Sequence, residues 1–70
     1  MIKLLNHSLQ TREKIKIIYY SNDKKLSQRT IKVIKMNDSN VLAYCYMKHS
    51  VRVFKLDNIL AVESVYRKPG

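Results

Sequence analysis

The residues of this chain best suited to chemistry are basic side chains interleaved with aromatic ones. From residue 43 to 55 the sequence runs Ala-Tyr-Cys-Tyr-Met-Lys-His-Ser-Val-Arg-Val-Phe-Lys. In an extended backbone alternate residues share a face, so Tyr44, Tyr46 and Lys48 form one set and Arg52 and Phe54 another. Aromatic rings stack on bases and cations neutralise phosphates, so a sheet face of this composition suits an anionic, base-bearing ligand. The simpler role for Tyr44 and Phe54 is to fill a core, with polar neighbours at its rim. Arg52 fits that role poorly. Flanked by Val51 and Val53, it is expected to emerge opposite the core, where a guanidinium fork suits phosphate or carboxylate.

Other chemistry is poorly provided for. The five acids, Glu13, Asp23, Asp38, Asp57 and Glu63, are isolated and form no pair at a spacing useful for acid/base work. His7 and His49 fall in different segments, with no acidic neighbour to orient either. Cys45 needs a histidine partner to act as a nucleophile and reads instead as a small inward-facing core residue. Glycine-rich phosphate loops are excluded because the one glycine is Gly70. His7, His49 and Cys45 could ligate a metal on paper, but they lie in three separate segments. The sequence therefore predicts a non-catalytic chain with no cofactor and no metal site.

The totals set the frame for these residues. Fourteen Lys and Arg against five acids give a net charge of +9 at pH 7, which favours anionic partners. The basic residues are spread along the chain, so they do not form a dedicated nucleic-acid tail. Seventy residues make one domain, which buries roughly 60% of its unfolded surface. So thin a core predicts help from a ligand, a second copy or a larger protein. A single cysteine rules out an internal disulfide. The N-terminus is too short and polar for a signal segment, and no apolar run approaches the ~20 residues of a membrane span. A cytoplasmic protein without a membrane partner is expected.

The elements that must position these side chains follow from periodicity. Ile2, Leu5 and Leu9, with Leu4 beside them, predict a short amphipathic helix over 2–10, an extended segment being the alternative. Residues 14–20 alternate as a strand with Ile15, Ile17 and Tyr19 inward. Residues 26–36 form a second strand, with Arg29, Ile31 and Val33 on one face and Thr30, Lys32 and Ile34 on the other. Residues 41–47 are the most apolar strand, expected to be central and in part buried on both faces. Strands over 51–55 and 59–66 complete the set, Glu63 marking a face that reaches water, and 67–70 is a frayed basic end. The Asn- and Asp-rich stretches at 21–25 and 37–40 are turns, as is Asp57-Asn58. With no glycine in any hairpin, Asn and Asp are the expected bearers of positive φ, in loops of three to five residues. One helix and five short strands over 14–66 predict a small antiparallel barrel, closed or nearly so.

These residues resemble a known family. Ala43-Tyr44-Cys45 followed by Arg52-Val-Phe54-Lys-Leu-Asp57-Asn-Ile59 is similar to the WYL domain, with Ile17-Ile-Tyr19-Tyr20 and Arg29-Thr-Ile31 at the family's upstream strands. The resemblance covers roughly Leu5 to Val62 and implies a mainly β fold, a five-stranded barrel of the SH3/Sm-like type behind a short N-terminal helix. It implies a regulatory module, of a kind mostly found in bacterial transcription regulators. Such a module would bind single-stranded nucleic acid or a nucleotide through a basic groove. Carried over, the groove residues are Arg29, Tyr44, Arg52 and Lys55, with Phe54 supporting Arg52. The pattern departs at three places. The Trp-Tyr-Leu triplet falls near Ser39-Asn40-Val41 without its aromatics, Val33 replaces a proline, and Asn58 replaces an arginine. A lost stacking aromatic weakens a base contact by ~1–3 kcal/mol. No helix-turn-helix is visible, so a stand-alone module is expected. The competing expectation is an interaction module that pairs a strand edge with itself or with a larger transcription regulator.

Overall fold

The computed structural model describes residues 2–65. Helix α1 (Ile2–Thr11) precedes β1 (Ile15–Tyr20), β2 (Leu26–Met36), β3 (Asn40–Cys45) and β4 (Ser50–Lys55); a 3-10 turn over Leu56–Asn58 then leads into β5 (Ile59–Ser64). The strands form one antiparallel sheet in the order β4-β3-β2-β1-β5. The fold is mainly β with an N-terminal helix, as expected, but the sheet does not close into a barrel. The predicted ends of the last strand at Tyr66 and of the chain at 67–70 lie outside the described residues.

The centre of the sheet is β2, where the sequence favoured β3. At 11 residues β2 is long enough to pair its first half with β1 and its second half with β3. In β3, buried Val41, Ala43 and Cys45 alternate with half-buried Leu42 and Tyr44, so only one face is covered. Its apolar surplus lies on the open side of the sheet.

The covered, inner face carries Ile15, Ile17, Ile31, Val33, Val41, Ala43, Cys45, Phe54 and Ile59, with Leu5 of α1 packed into the same core. Tyr19 meets Phe54 edge-on, ring centroids 5.0 Å apart at 85°, and its hydroxyl accepts the Lys55 N–H at 3.2 Å. Two strands separate β1 from β4 in the sheet, so this contact requires a curled sheet, with Tyr19 reaching Phe54 across the inner face.

A helix of ten residues is marginal alone and depends on what it packs against. Leu5 is buried as the spacing predicts and Leu9 packs beside the core, but Ile2 is 46% exposed. The second fully buried helix residue is Ser8. Its hydroxyl donates to the Glu13 carbonyl at 2.7 Å and accepts the Val33 N–H at 3.1 Å. Extending the β1–β2 register two residues beyond the Ile15–Ile31 pair would set Glu13 opposite Val33, so Ser8 joins two ladder groups that would otherwise face each other unbonded.

The hairpin loops, residues 21–25, 37–39 and 46–49, have five, three and four residues, within the expected range. Positive φ falls on Arg12 (64°), Lys24 (62°) and His49 (52°), where Asn and Asp were expected. Asn and Asp contribute through side chains instead. Asn37 Oδ1 accepts the N–H groups of Ser39 and Asn40, each at 2.8 Å, and Asp23 accepts the Ser21 hydroxyl. That bond, first, and a backbone bond hold the exposed Asp23 carboxyl below its ordinary value. Arg12 ends α1 by donating its N–H to the Ser8 carbonyl at 2.8 Å, a position that glycine usually fills.

Candidate functional site

Strand register decides which face each candidate residue occupies, because antiparallel partners share a face. Arg29 pairs with buried Ile17, and Arg52 with buried Ala43, so both stand on the inner face. For Arg52 this reverses the expectation from its valine neighbours. Phe54 is buried, period-two alternation carries Arg52 with it, and Val51 and Val53 are left 51% and 60% exposed. Tyr44 pairs with Lys32 and Val51 on the outer face, and Lys55 pairs with Asn40 on that same face. The four predicted groove residues therefore divide two and two. Phe54 shares a face with Arg52 but packs against Tyr19.

On the inner face Arg29 is held at two points. Its Nε donates to Ser27 Oγ at 3.2 Å and its Nη1 to Cys45 Sγ at 3.8 Å. That uses two of the five donors of a guanidinium. Cys45 is fully buried and pairs with Ser50 of β4. Burial pushes its thiol up. The Lys48 N–H, the Arg29 side chain and the Met47 N–H outweigh it, leaving the thiol below its ordinary value. Arg29 thus flanks β3 from β2, and Arg52 flanks it from β4. Among the described residues neither arginine forms an ion pair with a carboxylate. Two such guanidinium groups on one face can take phosphate or carboxylate oxygens.

The ion pair that does form corrects a different expectation. His7 Nε2 lies 2.8 Å from Glu13 Oε2, because the end of α1 folds Glu13 back beside it. Both are surface side chains, and a pair of this kind contributes at most about 1 kcal/mol.

The outer face adds lysines from the β1 and β2 side of the sheet to the two tyrosines that alternation groups in the sequence. Tyr44 and Tyr46 meet edge-on at 4.9 Å and 76°. Lys14 Nζ stands 4.5 Å from the Tyr46 ring centroid. An open cavity of about 620 Å³ adjoins them, lined in part by Arg12, Glu13, Lys14, Lys32 and Tyr46. The alternation of Lys with Ile in β1 and β2 was the available signal, but joining it to the tyrosines needs the strand register.

Together these features define a curled β module with cations on both faces. The chain belongs to the WYL domain family, whose model matches residues 1–64. WYL domains are regulatory, ligand-binding modules of transcription regulators and are generally non-catalytic. Among solved structures, Proteasome accessory factor B/C (PafBC) of Arthrobacter aurescens is similar, with a TM-score of 0.80 at 20% identity. The match covers 94% of this chain and 11% of that one, and it shows a shared fold. No curated protein matches the chain. No helix among the described residues is long and apolar enough to cross a membrane.

Proposed function

We propose that this chain is a non-catalytic regulatory module of the cytoplasm that binds an anionic ligand, single-stranded nucleic acid or a nucleotide, with Arg29 and Arg52 holding its phosphates. The observation that carries this reading is the placement of two arginines on one face, flanking β3, with no carboxylate paired to either among the described residues. The family assignment supports a regulatory role, and the net charge of +9 supports an anionic ligand. Tyr44 and Lys55 stand on the other face and take no part in holding these phosphates.

A titration with single-stranded DNA, single-stranded RNA and a nucleoside triphosphate at two salt concentrations tests the proposal. Affinity is expected to fall steeply with salt, since each phosphate neutralised on a single strand adds a slope of about −0.7 to the log–log plot. Arg29→Ala with Arg52→Ala should therefore flatten that slope by about 1.4. No binding at low salt, or binding that Arg52→Ala leaves unchanged, overturns the assignment.

A second reading, an interaction module, is favoured by the position of β4 at the edge of the sheet, unpaired on its outer side by any other described strand, with Val51 and Val53 more than half exposed. Unpaired strand edges recruit further strands, from a second copy or from a larger regulator. Sedimentation showing only monomer at high concentration would rule out self-pairing.

A further inference from the structure

The outer face presents an aromatic–cation cluster that the arginine site does not use. Tyr44 and Tyr46 are half-buried there, on the side of the sheet opposite the core. Their rings touch each other edge-on at 4.9 Å. Two cations are set against them. Lys32 is the direct cross-strand partner of Tyr44, and Lys14 Nζ is 4.5 Å from the centre of the Tyr46 ring. Neither lysine is in an ion pair among the described residues. The acid on the rim of the adjoining cavity, Glu13, is engaged by His7 at 2.8 Å; Glu63, the cross-strand partner of Lys16, is the other acid on this face.

We propose that this face is a second ligand site, separate from Arg29 and Arg52, which takes single-stranded nucleic acid by stacking bases on Tyr44 and Tyr46 and setting phosphates against Lys14 and Lys32. Lysines alone would suit any polyanion. The paired rings decide the class, because a base has a π face to stack and a phosphate chain or lipid headgroup has none. Neighbouring strands lie about 4.8 Å apart, so Lys32 stands one strand from Tyr44. Lys14, two strands from β3, reaches over to within 4.5 Å of the Tyr46 ring, so each ring has a cation that one nucleotide can meet with it. The cavity of about 620 Å³ is lined by Tyr46, both lysines and Arg12, and it leaves room for the strand to continue past the Tyr46 ring.

The test uses the full chain with labelled oligothymidylate and oligouridylate, followed by anisotropy and by tyrosine emission. With no tryptophan, emission comes from five tyrosines, two of them in this site, so the change lost in Tyr44→Leu with Tyr46→Leu is the report on stacking. Binding should quench it, and Tyr46→Leu should lower affinity about tenfold. The surface pair Lys14→Gln with Lys32→Gln, which leaves the core untouched, should flatten the salt slope by about 1.4. Arg29→Ala with Arg52→Ala should leave quenching in place.

The proposal is overturned if the oligonucleotides do not bind or do not quench emission, or if the lysine pair changes nothing. Inorganic polyphosphate or phosphatidylglycerol vesicles binding as tightly as the oligonucleotides would also overturn it. The two sites fail separately. Binding lost only in the arginine variants sinks this inference and leaves the arginine site standing; binding lost only in the lysine and tyrosine variants does the reverse.

Discussion

The two faces of this sheet are made from the same strands and differ in what each residue must do. On the inner face most positions pack into the core, and two of its polar side chains are tied to partners: Ser8 to Glu13 and Val33, Arg29 to Ser27 and Cys45. On the outer face Tyr44 and Tyr46 meet edge-on, Lys14 reaches the Tyr46 ring and Lys32 pairs across from Tyr44. The function proposed for the inner face therefore falls to Arg29 and Arg52 alone, and changing their neighbours costs stability. The outer face carries more chemistry with less structural obligation.

The largest effect expected from that contrast is at Phe54. Phe54→Ala should cost about 3–5 kcal/mol in urea unfolding, whereas Tyr44→Ala should cost well under half of that. Equal losses would break the distinction between the faces. Ser8→Ala strips partners from a buried N–H and a carbonyl and should cost about 2–4 kcal/mol, although it removes a single oxygen. His49→Gly relieves a positive φ in the turn that presents N–H groups to Cys45, and should raise stability by about 1 kcal/mol. Val53→Thr on the outer face should stay within about 0.5 kcal/mol of the parent.

The smallest effect is one of pH. The Cys45 thiol titrates lower in the folded chain than in the unfolded one, so over that interval the unfolded chain binds more protons. Stability should rise as pH climbs through the interval and be fully gained above the ordinary thiol value of the unfolded chain. It is lost as pH falls below the folded value. Cys45→Ala should abolish the rise, as seen in thermal melts between neutral and alkaline pH. A parent that weakens steadily over the same range would contradict the assignment.

Much of the fold is legible in the residue pattern, for physical reasons. Lys14-Ile-Lys-Ile-Ile alternates cleanly because β1 has one wet and one dry face, and Ile15, Ile17 and Tyr19 point where alternation sets them. The bounds of β2 at Leu26 and Met36 follow from the polar turns on either side. Arg52 is not legible locally, since two valines beside it suggest the wrong face. Only Phe54, buried two residues on, fixes it. The central place of β2 was hidden because strand order depends on pairing and not on apolar content. Ser8 could not be found at all from spacing. Its burial answers a gap in the backbone where β1 stops short of Val33.

That hydroxyl has a consequence for how the helix is set in place. It occupies the position in which an ordered water often bridges a carbonyl and an N–H, yet it is covalently fixed to α1. Hydrophobic contact alone would let a ten-residue helix slide or rotate slightly on the sheet at little cost. Here a displacement of one residue would move the oxygen out of reach and strand two backbone groups in a dry interior. Ser8 therefore works as a locating pin: it converts a greasy, adjustable contact into a single seating and fixes where the chain enters β1.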